Sequence, residues 1–404
     1  MRGVLDGIRV LEWGIAHMVP AATTTLGDLG AEVIKIETRN SGDPHRGNKV
    51  SGGVKLQAPD GRSYYFEGLN RGKKSVTVDL TKESGRQVVY RLAKESDVFV
   101  TNFRQGAVAK CGMSYAILRG YNPRLIYASI SAYGSKGPDS DEPGFDLAAQ
   151  ARAGLMTLMK SPKDVPSSPW GLADQAGSMT VAFGIISALF ARARYGIGQK
   201  LNFSILGSVM WLENTSLLIR LLGGEEPHPI NREEAVNPLW NVYQTQDGKW
   251  ICLSHGYWGS SLWSEFCQAV GIQELEHDPR FDTHLKRIES GTPLVSILDK
   301  VFAGRPREEW LKIAKKWGLI FQPVNTISDL LTDPQVLENE YIVNYDHPCL
   351  GKIRLPGFPV QFSETPAQVT RPAPELGQHT EEVLSEVAGY TWEEIEQLHD
   401  QEII

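Results

Sequence analysis

Between residues 8 and 134, short β-branched apolar runs alternate with stretches of helical periodicity, and few architectures accept such an alternation. Residues 8–13 (IRVLEW) and 31–37 (AEVIKIE) have strand length and flank 19–30 (VPAATTTLGDLG), which reads as a helix ending in Gly30. The pattern recurs: 75–80 predicts a strand, 81–96 a capped amphipathic helix, 97–103 a strand and 124–134 another. Strands and helices alternating at this length predict an α/β fold, with a Rossmann-like, mostly parallel sheet covered by helices on both faces.

Residues 171–179 (GLADQAGSM) lead into a long, nearly all-round apolar helix that turns basic at Arg192 and Arg194 and stops at Gly196. From about residue 222 a polar, Pro-rich connector gives way to 239–254, whose apolar runs flank a Gln-Asp-Gly turn and predict a hairpin. A second, smaller α+β domain is expected there, and 404 residues are enough for both. A net charge of -7 argues against a general nucleic-acid or anionic-membrane surface. Cys111, Cys252, Cys267 and Cys349 are far apart, which suggests reduced thiols rather than a disulfide framework or a zinc site. No secretory signal and no segment approaching a transmembrane span is recognised, so a cytoplasmic protein is expected.

The common catalytic and nucleotide motifs are missing: there is no GxxxxGK[ST], GxSxG or HExxH. Glu37 ends the second predicted strand as in a dinucleotide site, but Met18, Val19 and Pro20 crowd the turn where a pyrophosphate would approach, which disfavours a nicotinamide oxidoreductase. Polar residues at the predicted strand ends remain. Asn102, Phe103 and Arg104 follow one strand; Asn70, Arg71, Lys73 and Lys74 precede another; Arg39 and Arg46 lie in a third loop. Each alone reads as a solvated charge, whereas the group suits a phosphorylated nucleotide met by salt bridges and stacking. Asp146 and Asp174 sit on small-residue turns, and spacing makes each a helix cap first. A carboxylate with a pKa of about 4 is also a ready nucleophile without a His partner. Gly171, Ala173, Ala176 and Gly177 would leave room for an electrophile, backbone N–H groups there could stabilise an oxyanion, and the helix dipole would keep Asp174 ionised.

The stretches LDGIRVLEWG, LGDLGAEVIKIE, LNRGKKSVTVDL, VTNFRQGAVAKCGMSY, GFDLAAQARAG, GLADQAGSM and LPGFPVQFSETP, in this order, resemble the class III CoA-transferases from end to end. That family includes formyl-CoA and carnitine CoA-transferases and, as a divergent branch, α-methylacyl-CoA racemase. The resemblance implies that Asp174 accepts the acyl group, passing through an anhydride and an aspartyl-CoA thioester. Coenzyme A enters as substrate, with no separate cofactor or metal. By position, CoA contacts would fall on Val19, Ala21, Arg39, Leu69, Lys73, Asn102, Phe103 and Arg104, with Lys136 nearby. His17 stands where formyl-CoA transferase has a Gln that helps hold the intermediate, and Asp146 matches a carboxylate beside the site. The racemase branch carries a His where this chain has Phe145, which disfavours proton-shuttle racemisation.

The resemblance further implies a large CoA-binding domain built from 1–221 and 336–404, a small domain at 222–335, and two subunits interlocked like links. A heteromer with a related non-catalytic subunit is the other assembly implied, and a racemase or a non-catalytic CoA-binding subunit are the alternative roles. Residues 229–250 resemble transferases acting on aryl or branched acids such as phenyllactate and benzylsuccinate, for which Trp170, Trp240, Tyr257 and Trp258 could line an acyl pocket.

Overall fold

Six strands form one parallel sheet: β1 (Arg9–Trp13), β2 (Glu32–Glu37), β3 (Lys73–Thr77), β4 (Val98–Thr101), β5 (Ile126–Ser131) and β6 (Lys200–Ser204). The computed structural model describes residues 3–51, 53–159, 165–229, 231–255 and 261–404. The strand order is β3-β2-β1-β4-β5-β6, and every neighbouring pair is parallel. Val10 and Leu11 on β1 and Val98, Phe99 and Val100 on β4 are all buried, because helices cover both faces and no strand position is left for polar alternation. The chain winds outward one way from β1 and the other way from β4. The connections leaving their C-terminal ends therefore diverge, and the crevice between those loops is where an open α/β sheet takes its ligand.

Two helices fill one face. Helix α1 (Met18–Asp28) is buried at nearly every position, and α4 (Leu172–Tyr195) packs on it. The approach is close: a Cβ on Gly177 would lie 2.5 Å from Met18 Cε. Between them in sequence lie α2 (Tyr64–Asn70) and α3 (Asp146–Ala153). At 24 residues α4 is long and apolar enough to cross a membrane by length and composition, contrary to the sequence expectation that no segment is. Nor is it buried all round. Val181, Ile185, Ala188 and Leu189 pack into the core, whereas Met179, Phe183 and Phe190 are exposed. The helix stops where expected, at Gly196 with φ 73.

The C-terminal segment returns to the sheet edge. Val383, Leu384, Ile395 and Leu398 join Val76 and Val78 in one core, and Asp79 N–H donates to the Ile403 carbonyl at 2.8 Å. Two helices, Thr380–Glu386 and Trp392–Asp400, make this return, and Gly389 takes φ 67 between them. Strand β6 forms the sheet edge, and its sequence KLNFS alternates polar residues with Leu201 and Phe203, which pack against the core.

Met1–Pro227 together with Glu340–Ile404 form one compact unit, and His228–Asn339 form the other. The second unit contains a three-stranded antiparallel sheet, β7 (Trp240–Gln244), β8 (Trp250–Ser254) and β9 (Phe321–Pro323), with β8 central. The expected hairpin is β7–β8. Its inward residues Tyr243, Ile251 and Leu253 pack with Phe266, Phe302 and Trp310 from the surrounding helices.

Candidate active site

The loop leaving β1 and the loop leaving β4 are tied together across the crevice by one side chain. Asn102 Oδ1 accepts from Ile15 N–H at 3.0 Å, and its Nδ2 donates to the Ile15 carbonyl at 2.8 Å. Beneath the first loop lies a buried charge network. Lys35 Nζ reaches Glu12 Oε1 at 2.6 Å, Asp43 Oδ2 at 3.0 Å and the Gly14 carbonyl at 2.9 Å. Asp43 Oδ1 in turn accepts from Ala16 N–H at 3.4 Å and His45 N–H at 2.9 Å. Burial opposes these charges, but the lysines on either side outweigh it and hold the Glu12 carboxyl down to about 2. The network fixes a loop in which Ala16 adopts φ 67, a left-handed conformation uncommon for alanine. His17 follows immediately.

Helix α4 begins beside His17, and its cap differs from the sequence expectation. The N-cap is Gly171, at φ 81, and Asp174 is the third residue of the helix. The capping carboxylate is Asp146, from the start of α3. Its Oδ2 accepts from Gly171 N–H at 2.8 Å, and its Oδ1 accepts from Ala173 N–H at 2.8 Å and Asp174 N–H at 3.1 Å. Gln150, fully buried, donates to the same carboxylate at 2.8 Å and to the Pro169 carbonyl at 3.1 Å. One expectation is thereby corrected: the N–H groups of Gly171, Ala173 and Asp174 are occupied by Asp146 rather than open to an oxyanion. Gly171 packs near His17, and Gly177 packs against Met18.

The Asp174 side chain faces a cavity, and among the described residues its carboxylate accepts no hydrogen bond. Burial, and next the charge of Asp146, push its carboxyl up to about 7, so the helix dipole does not keep it fully ionised at neutral pH. His17 Nδ1 lies 3.9 Å from Asp174 Oδ2. The other ring nitrogen, Nε2, meets Gln175 Oε1 at 3.2 Å, and the Tyr65 hydroxyl bonds Nδ1. Burial pushes the His17 pKa below its ordinary value, against the opposing effects of the Gln175 bond and the Asp146 charge. Trp170, half exposed, lies with its ring 5.3 Å from Tyr65, and His45 packs edge-on at 4.5 Å on the same ring.

The cavity, of about 360 Å³, occupies the crevice predicted by the strand order. His17, Asn102, Phe103, Arg104 and Asp174 line it, together with Ser129 and Ser131 from β5 and Phe145. Phe103 packs tilted against Trp13 with ring centroids 4.4 Å apart, and Arg104 has no ion-pair partner among the described residues.

Other expected contacts lie elsewhere. Lys73 is fully buried, bound to Glu12 at 2.8 Å and to the carbonyls of Pro20 and Leu69, so its ammonium is closed to a ligand, and burial pushes its pKa down to about 8. Val19 and Ala21 are buried in α1, while Leu69 turns its carbonyl to Thr24 and Lys73. Arg39 donates to the Glu402 carbonyl at 2.7 Å, and Lys136 is exposed in the loop after β5. Arg46, Arg71 and Lys74 are each paired with carboxylates, on Glu37, Asp28, and Glu32 with Glu382 respectively, so the group of basic loops does not form one anion site. Trp240 is exposed on β7, and Tyr257 and Trp258 lie outside the described residues. Sequence reasoning missed Tyr65, Gln175, Gln150 and Asp43, since no local pattern separates them from ordinary surface polar residues.

Known proteins resemble this chain over nearly its full length. A family model described as CoA-transferase family III matches residues 5–380. The (R)-2-hydroxy-4-methylpentanoate CoA-transferase of Clostridioides difficile is 31% identical over 99% of this chain and 99% of its own length. The cinnamoyl-CoA:phenyllactate CoA-transferase of Clostridium sporogenes is 31% identical, covering 98% and 96%. Among solved structures, a CaiB/BaiF family protein of Brucella suis superposes with a TM-score of 0.83 at 29% identity, covering 96% of this chain and 100% of that one. The crevice, its cavity and the end-to-end match agree, and this chain belongs to the family III CoA-transferases, enzymes that work on CoA thioesters.

Proposed function

We propose that the chain transfers CoA from an acyl-CoA thioester to a free carboxylic acid with Asp174 as the acyl acceptor. The observation that carries this reading is the free Asp174 carboxylate, held at the cavity wall by Asp146 and raised to about 7. A more basic carboxylate is a better nucleophile once ionised, and it still ionises near neutral pH. Asp174 attacks the thioester carbonyl, the C–S bond breaks, and an acyl-aspartyl anhydride and CoA thiolate form. The thiolate attacks the aspartyl carbonyl, giving aspartyl-CoA thioester and releasing the donor acid. The acceptor carboxylate then attacks that thioester, and the thiolate takes the new acyl group. Each intermediate keeps the activation of the first thioester, which requires that water be kept out.

Asn102, Phe103 and Arg104 would meet CoA at the crevice, Phe103 by stacking and Arg104 by charge. The other CoA contacts implied by position, at Val19, Ala21, Arg39, Leu69 and Lys136, would be made through backbone or chain segments rather than free ammonium groups, Lys136 excepted. The Lys73 ammonium would make no such contact, because it is buried on Glu12. We place Trp170 beside the acyl group, which with the aryl and branched acids named for the two relatives favours an aryl or branched acceptor. The exposed apolar stripe Met179, Phe183 and Phe190, with Trp211 and Leu212 on helix α5 (Ile205–Leu212), supports an interlocked homodimer.

Racemisation fits less well. It needs two bases across a substrate carbon, whereas His17 and Asp174 stand side by side at 3.9 Å and Phe145 has no exchangeable proton. Incubation with acyl-CoA, trapping with hydroxylamine and mass-spectrometric mapping test the reading. A label at Asp174 is expected; a label elsewhere, or transfer surviving Asp174→Ala, overturns it.

A further inference from the structure

A histidine beside an acylated carboxylate poses a chemical problem, because a neutral imidazole is a competent base for water. The cavity of about 360 Å³ reaches both His17 and Asp174. Their separation of 3.9 Å lets a single water touch Nδ1 and Oδ2 at ordinary hydrogen-bond lengths. Hydrolysis of either acyl intermediate would then compete with transfer.

The hydrogen bonds around His17 suppress that route. Gln175 Oε1 can only accept, so Nε2 carries the ring proton and Nδ1 presents a lone pair. The Tyr65 hydroxyl donates to this lone pair. The hydroxyl holds its own proton, because burial, the Asp174 charge and then the Asp146 charge all push its pKa up. The ring of Tyr65 is itself fixed between His45 and Trp170, at 4.5 and 5.3 Å.

We infer that Tyr65, by filling the lone pair of His17 Nδ1, denies the acyl-Asp174 intermediates a base for water and so sets the partition between transfer and hydrolysis. The inference rests on Asp174 being the acyl acceptor. In the suppressed branch, the water oxygen bonds to the carbonyl carbon of the aspartyl-CoA thioester while Nδ1 takes a proton. The C–S bond breaks, the CoA thiolate takes that proton from Nδ1, and Asp174 returns as a carboxylic acid that ionises. Thioester and water have become acid and thiol, with no other reactant. Tyr65 is thus a specificity-determining residue, discriminating water from a carboxylate as acceptor.

The test uses the full chain and whichever of succinyl-, acetyl- and cinnamoyl-CoA labels Asp174 of the unaltered protein. CoA thiol release without an acceptor acid and new thioester formed with one are measured in parallel. Tyr65→Phe keeps the ring and its packing, and a thermal melt confirms that it is folded. The hydrolysis-to-transfer ratio is expected to rise by about 100-fold, the low end of what a general base contributes. His17→Gln added to Tyr65→Phe should return the ratio to that of the unaltered chain. An unchanged ratio in Tyr65→Phe, or hydrolysis that persists in the double variant, overturns the inference while leaving the acceptor reading intact. A chain labelled at Asp174 by none of the three donors overturns the acceptor reading and this inference with it.

Discussion

The backbone N–H of Asp174 donates to Oδ1 of Asp146 at 3.1 Å, so one carboxylate positions the peptide of another while repelling its side chain. Asp146 also accepts from Gly171, Ala173 and Gln150, which stabilises its charge at the helix start. Asp174, with fewer partners and a mostly buried side chain, carries the penalty as a raised pKa.

Acylation should follow the ionisation of Asp174. Its carboxyl stands at about 7, so the single-turnover rate of label incorporation should rise with pH through about 7 and then level off. Asp146→Asn removes the like charge and should move the midpoint down. The same substitution places an amide NH₂ among N–H donors and should lower stability by about 1–3 kcal/mol in a urea titration.

Stability should carry the opposite sign. Asp174 has a folded pKa of about 7 against an ordinary value of 3.8, so over this interval the folded chain binds the proton that the unfolded chain has lost. The unfolding free energy should therefore fall as pH rises between those values, since the native state holds more protons there. Asp174→Asn abolishes this dependence and should stabilise the chain at alkaline pH by roughly 2–4 kcal/mol, read from denaturant midpoints on either side of the interval.

Arg104 and Lys73 should separate binding from folding. Arg104→Ala is expected to raise the KM for acyl-CoA about tenfold, with an effect that shrinks in high salt, and to leave the melting temperature nearly unchanged. Lys73→Met breaks a fully buried pair with Glu12 and should lower stability by about 3 kcal/mol. An Arg104→Ala chain with unaltered KM would remove Arg104 from the CoA site.

The apolar stripe on α4 should be an assembly surface. Phe183→Glu places a charge on a residue that is 73% exposed in the single chain. It should convert a dimer to monomer or abolish soluble assembly in sedimentation experiments, and an unaffected monomer in both proteins would reject the interlocked homodimer.

Most of the sheet was legible in the chain, because a strand buried on both faces needs a run such as VFV at 98–100 that few other structures tolerate. Asp174, Asn102, Phe103 and Arg104 were legible as candidates because small or polar residues at a strand end or helix start have local signatures. The same local logic misassigned the helix cap. An Asp in a first turn is a good cap by spacing, and nothing nearby in sequence reveals that Asp146, 28 residues earlier, occupies the N–H groups first. Lys73 failed for a related reason: its charge suggested a ligand, but its partner Glu12 is 61 residues away along the chain and 2.8 Å away in space.

Sequence periodicity thus carried the α/β layering and the crevice, since these follow from which residues must leave water. Protonation at the site came from folding alone. The pKa of Asp174, the lone pair of His17 and the hydroxyl of Tyr65 depend on burial and on charges brought together from four separate segments, and electrostatics at such distances responds to position in space rather than to order along the chain.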